Sequence, residues 1–156
     1  MRTINEIILH CTDTEAGKDY TVEEIERWHI QRGFTEIGYH YIIHPNGEIS
    51  QGRDINKIGA HCKGHNAHSI GIAYIGGRRD GKPADTRTPD QVSAMDRLIL
   101  TLVEAYPIKR VTGHNNYSNK ACPCFNVQEY LGKYCTNCPF LGQDCVYCRT
   151  CKLSLV

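Results

Sequence analysis

The chain predicts an α/β domain with a central mixed β-sheet flanked by helices, on three observations. Short apolar runs of strand length occur at residues 6–10 and 69–75. Two amphipathic stretches each open on a capping box, Thr21 with Glu24 and Thr88 with Gln91. Between two further strand-like runs stands Asn46-Gly47, among the stronger local signals for a hairpin.

Taken in order, Glu6-Ile-Ile-Leu-His10 reads as a largely buried strand, ended by polar Cys11-Thr-Asp13. Thr21 caps a helix over 22–32, in which Val22, Ile25, Trp28 and His29 recur at helical spacing and Gly33 supplies the stop. Residues 38–44 and 48–51 form the hairpin around Pro45-Asn46-Gly47. A second buried strand, 69–75, ends at Gly76-Gly77, and the polar stretch 78–87 is expected to be a loop. Pro89 occupies the first turn of the next helix. That helix aligns Val92, Met95, Leu98, Ile99, Leu102 and Val103 on one stripe and stops near Pro107. A short strand over 108–111 and a last helix over 126–134 complete the domain. The expected division is a domain at 1–134 and a cysteine-rich tail at 135–156.

Composition narrows the function. The 156 residues carry 18 basic and 17 acidic side chains, so little net charge is available for phosphate contacts. Nucleic acid is therefore not the expected partner, although Lys57, Lys63, Arg78 and Arg79 could line a local basic cleft. No apolar run approaches the roughly 20 residues of a membrane span, so no membrane partner is expected. The first nine residues lack the charged start, apolar core and cleavage site of a secretory signal. The expectation is a cytoplasmic monomer, unless something else releases it. Nine cysteines, an odd number, favour metal ligation or plain thiols over a disulfide framework.

His10 closes the first strand, His114 follows the last, and Cys122 comes eight residues after His114 across a loop. Two histidines, a cysteine and one open position describe a catalytic zinc site. Each alone has a structural alternative, and only the fold can bring His10 to the other two. No H-E-x-x-H element offers the carboxylate base of common zinc proteases.

The chain resembles the zinc-dependent N-acetylmuramoyl-L-alanine amidases, above all the bacteriophage lysozyme-type amidases, which share a fold with peptidoglycan recognition proteins. Carrying the resemblance are Ile8-Leu-His-Cys11, Trp28-His29, Gly38-Tyr-His-Tyr-Ile-Ile43, Gly59-Ala-His61 with Lys63-Gly64, Ser69-Ile-Gly-Ile72, Gly76-Gly77 and Lys120-Ala-Cys-Pro123. They fall in order between about residues 4 and 131, and the tail lies outside them. The resemblance implies zinc on His10, His114 and Cys122, catalytic assistance from Tyr39 and Lys120, and His61 along a substrate groove. It further implies a peptidoglycan or muropeptide substrate, cut at the amide between N-acetylmuramic acid and L-alanine. By residue type alone, Tyr39 is more often a core or sheet-face residue and Lys120 more often a solvated loop charge. The alternatives are a non-catalytic peptidoglycan-binding protein, and a metal-binding interaction protein acting through the tail. There Cys135-x2-Cys138, Cys145-x2-Cys148 and Cys151 have the local spacing of a zinc or iron–sulfur site, with disulfides or free thiols as alternatives.

Overall fold

A computed structural model describes residues 1–132. The predicted boundary at 134/135 and the cysteine-rich tail lie outside the described residues. The elements run β1 (Glu6–Cys11), β2 (Thr14–Glu15), α1 (Val22–Gln31), β3 (Tyr41–Ile43), β4 (Ile49–Gln51), β5 (Ser69–Tyr74), β6 (Gly77–Arg79), β7 (Lys82–Pro83), α2 (Pro89–Ala105), β8 (Arg110–Gly113), a 3-10 turn (His114–Asn116) and α3 (Val127–Gly132). The main sheet has the order β4-β3-β5-β1-β8. Only the β3–β4 hairpin is antiparallel; β3–β5, β5–β1 and β1–β8 are parallel. This is the mixed sheet with flanking helices that the sequence predicts.

The two faces of the sheet are built differently, and β5 shows why. Every residue of β5 is buried, but its side chains alternate in size. Ile70, Ile72 and Tyr74 join Ile7 and Leu9 of β1 against Met95, Ile99, Leu102 and Val103 of α2. Burying each such side chain contributes about 1.5–3 kcal/mol, so this layer carries much of the stability. Small Ser69, Gly71 and Ala73 point the other way, level with Glu6, Ile8 and His10. On that face α1 covers only one end, where Ile25 packs with Ile37, Ile42, Ala73 and Ile75. Beside this cluster the small residues leave room for loops and for a cleft.

Both predicted capping boxes are present: Thr21 with Glu24 opens α1, and Thr88 with Gln91 opens α2. The hairpin turns at Gly47, whose φ of 85° suits a residue without a Cβ. Its first strand starts at Tyr41, three residues later than predicted. Gly38, Tyr39 and His40 instead hydrogen-bond Ala60, Arg53, Gly52 and Gly71 through their backbones. A Cβ at Gly38 would lie 2.2 Å from the Ala60 carbonyl oxygen.

The predicted loop at 78–87 also differs, because β6 and β7 form a small hairpin within it. Asp80 and Gly81 both take left-handed φ values, 53° and 75°, the geometry of a two-residue Asp-Gly hairpin turn. Their amides donate to the Glu15 carboxylate at 2.5 and 3.2 Å. The last strand runs over Arg110–Gly113, beyond the predicted 108–111, because its pairing with β1 begins at Glu6. The buried Glu6 carboxylate accepts from Thr112 at 2.9 Å, from Tyr117 and from Arg110. Among the described residues no helix is long and apolar enough to cross a membrane.

Candidate active site

Parallel pairing of β1 and β8 brings their C-terminal ends to one edge of the sheet. His10 lies near the end of β1, and His114 directly follows β8. The loop after the 3-10 turn returns Cys122 to the same place, where the amide of Cys11 donates to its Sγ at 3.3 Å. The candidate ligand atoms of His10, His114 and Cys122 lie within 4.8 Å of one another, and His10 Nδ1 is 3.7 Å from Cys122 Sγ. Around a tetrahedral zinc such atoms sit about 3.3–3.6 Å apart, from bonds of about 2.0–2.3 Å. The fit is close.

Electrostatics suits a cation as well. Burial, then the His61 and His114 imidazoles, hold His10 well below the usual histidine range. Burial and the Lys120 charge also lower His114. Both are thereby neutral imidazoles, the form that ligates metal. Among the described residues the cysteines are free thiols. Cys11 and Cys124 stand 3.8 Å apart beside the trio. A hydrogen bond with Cys122 raises Cys11 to about 12, and Cys124 is raised by its bond with Cys11.

The trio forms the floor of a cleft of about 410 Å³, within the usual range for small-molecule sites. Tyr39, His61 and Lys120 all line this cleft. The Tyr39 ring is 5.3 Å from that of His10, and its hydroxyl donates to the Cys11 carbonyl over a long 3.4 Å. Burial pushes the phenol well above the usual tyrosine range, which favours the protonated hydroxyl, a hydrogen-bond donor. Lys120 is exposed on the rim. His61 is 8% exposed, and both its ring nitrogens are occupied, Nδ1 by His10 at 2.9 Å and Nε2 by Ser69 at 3.2 Å.

Sequence reading did not single out Arg32, Phe34 or Pro83, which line the same cleft. His29, which the sequence placed on the apolar stripe of its helix, lines it too; its Nδ1 accepts from the Gly38 amide at 2.8 Å and burial lowers its pKa to about 4. Of the four basic residues expected near a cleft, Arg78 lines it, paired with Asp13, while Lys57 pairs with Glu36. His40 and His44 are structural: His40 accepts from the Gly71 amide and donates to the Lys57 carbonyl, and His44 bridges Asp19 and Ser50.

Known proteins align with this arrangement. The endolysin of Enterobacteria phage K11 is 36% identical over 128 residues, 81% of this chain and 85% of that protein. Among solved structures, the N-acetylmuramoyl-L-alanine amidase LysC from Clostridium intestinale URNW superposes with a TM-score of 0.72 at 31% identity, covering 85% of each chain. A Drosophila PGRP-LB variant in complex with tracheal cytotoxin superposes at 0.68 with 26% identity, covering 79% of this chain and 76% of its own. The N-acetylmuramoyl-L-alanine amidase family profile matches residues 1–125, a span that includes the whole cleft, and the chain belongs to that family.

Proposed function

We propose that this protein hydrolyses the amide between N-acetylmuramic acid and L-alanine in peptidoglycan, with zinc held by His10, His114 and Cys122. The convergence of these three donors on the floor of one cleft carries the reading. When bound, zinc supplies the Lewis acidity that activates water and polarises the scissile carbonyl. The protein holds the two imidazoles neutral, and the Cys11 amide stabilises charge on the Cys122 sulfur. Tyr39, whose hydroxyl is only weakly engaged by the Cys11 carbonyl, donates to the oxyanion as it develops. Lys120 brings positive charge to the same rim. His61 contributes a ring edge to the groove wall.

The substrate class draws support from the relatives. The K11 protein is named an endolysin, and the ligand in the PGRP-LB complex, tracheal cytotoxin, is a monomeric diaminopimelic acid-type peptidoglycan. Likeness to endolysins favours polymeric wall as substrate, reached by an enzyme made in the cytoplasm and acting as a monomer.

The test is digestion of purified peptidoglycan with and without a chelator, followed by mass analysis. Free peptide stems beginning with L-alanine are expected, and are lost on chelation and in Cys122→Ala. Glycan strands that keep every stem would overturn the enzyme reading and leave a binding protein in its place.

A further inference from the structure

His61 and Ser69 fit a role that its place on the groove wall does not describe. The Ser69 hydroxyl lies 2.6 Å from the His65 carbonyl, an acceptor only, so the serine proton is committed there. Ser69 Oγ is left with lone pairs, and His61 Nε2, at 3.2 Å, must be the N–H that donates to it. A neutral imidazole protonated at Nε2 has an acceptor at Nδ1. His61 Nδ1 therefore accepts from His10 Nε2–H at 2.9 Å. The lone pair of His10 then resides on Nδ1, the atom that faces Cys122 Sγ at 3.7 Å.

The surroundings are shaped to keep this chain of bonds. Asn66 Oδ1 accepts from the amides of His61 and Cys62, both at 2.9 Å, fixing the backbone that carries the ring. Glycine stands at two positions where the ring needs space. A Cβ on Gly59 would sit 2.6 Å from His61 Cδ2, and a Cβ on Gly71 would sit 2.6 Å from the same atom and from Cγ. Real Cβ atoms essentially never show such contacts, so with a side chain at either position the ring would have to shift. The ring is 8% exposed and spends neither nitrogen on the cleft.

We infer that Ser69 and His61 are positioning residues that fix His10 in its Nε2–H tautomer and so present Nδ1 to the metal. This rests on the proposed zinc site. The general precedent is that a metal-bound histidine donates its second ring N–H to an acceptor, whose loss costs about 10–100-fold in metal affinity. Here the acceptor is a second imidazole, whose own tautomer is set by a serine.

Two measurements test it together on full-length protein. One is the imidazole ¹⁵N spectrum of the metal-free protein, which separates the two neutral tautomers of His10. The other is the zinc Kd by competition with a chromogenic chelator. In the wild type, His10 is expected as the single Nε2–H form. Ser69→Ala is expected to yield a mixture of His10 tautomers and about 10-fold weaker zinc binding, and His61→Ala a loss toward 100-fold. His61→Asn, which offers an oxygen near the position of Nδ1, is expected to recover most of the loss.

A His10 signal unchanged in Ser69→Ala and His61→Ala, with Kd within twofold of wild type, would overturn the inference. So would a His61→Asn protein that binds zinc as poorly as His61→Ala, since that outcome marks a packing role alone. The zinc site itself fails by a different sign: His10→Ala binding zinc as tightly as wild type. The tautomer measurement, made without metal, reports on the relay in either case.

Discussion

Gly71→Ala puts the room beneath His61 to a quantitative test. The added methyl carbon would sit 2.6 Å from His61 Cγ and Cδ2 and 2.9 Å from Nδ1, whereas carbon–carbon contacts are comfortable at about 3.5–4.0 Å. The ring must retreat by roughly 1 Å, and it cannot do so freely because His10 and Ser69 hold both nitrogens. Overpacking of this kind costs about 1–3 kcal/mol, while replacing a strand glycine by alanine returns roughly 0.5–1 kcal/mol of backbone entropy. The net expectation is a loss of about 1–2 kcal/mol, which lowers Tm by roughly 3–7 °C for a domain of this size. Zinc affinity should fall about tenfold as the bond to His10 is strained. Chemical denaturation of the metal-free protein, with the same substitution repeated in a His61→Ala background, isolates the contact. With the ring removed the methyl has space, so the substitution should become neutral or stabilising, a coupling of at least about 1 kcal/mol. Equal costs in the two backgrounds would refute the claim that the glycine exists to seat the ring.

Further expectations concern the chemistry and its pH range. His10→Ala and Cys122→Ala should each abolish chelator-sensitive amidase activity and weaken zinc binding at least about 100-fold, measured by competition titration. Tyr39→Phe should lower kcat by about 10²-fold with little change in Tm, consistent with a lost transition-state donor; retention of full kcat would remove Tyr39 from the mechanism. Lys120→Ala, an exposed site, should leave denaturation curves within about 0.5 kcal/mol of wild type while lowering kcat/KM, and an unchanged kcat/KM would assign it to bulk solvent. Burial lowers both His29 and His40 to about 4, below the unfolded value of about 6.5. Between those values the unfolded chain binds more protons, so stability should be full above about pH 6.5 and fall as pH drops toward 4. Denaturation of the metal-free protein at stepped pH checks this, and a flat profile from 6.5 to 4.5 would contradict it.

Much of the fold was legible because it rests on local chemistry. Both capping boxes, the Asn-Gly turn and the stripe of α2 are written in short windows, and each matches the structure. Element edges failed where a distant partner decides them. Tyr39 and His40 leave the predicted strand because Arg53, Gly52 and Gly71 claim their backbone groups. Asp80-Gly81 carried a hairpin signal that the polarity of its neighbours concealed, and its anchor, Glu15, lies 65 residues away. The donors His10, His114 and Cys122 were recognisable by type, but their convergence depends on β1 lying beside β8. The hydrogen-bonded pair of His10 and His61 left no mark in spacing. Its trace was the run Ser69, Gly71, Ala73, whose small side chains read simply as strand.

That run has a consequence for how the chain reaches its native state. Because large and small residues alternate strictly in β5, a slip of one residue against β1 would turn Ile70 and Ile72 into the space of His61. The misregistered sheet would lose its packing against α2 and block the imidazole relay at once. Under the proposed function, zinc would bind only the correctly paired chain and add its binding free energy to that state alone. The metal would then act as a proofreader of strand registry, and folding in its absence should be the more error-prone route.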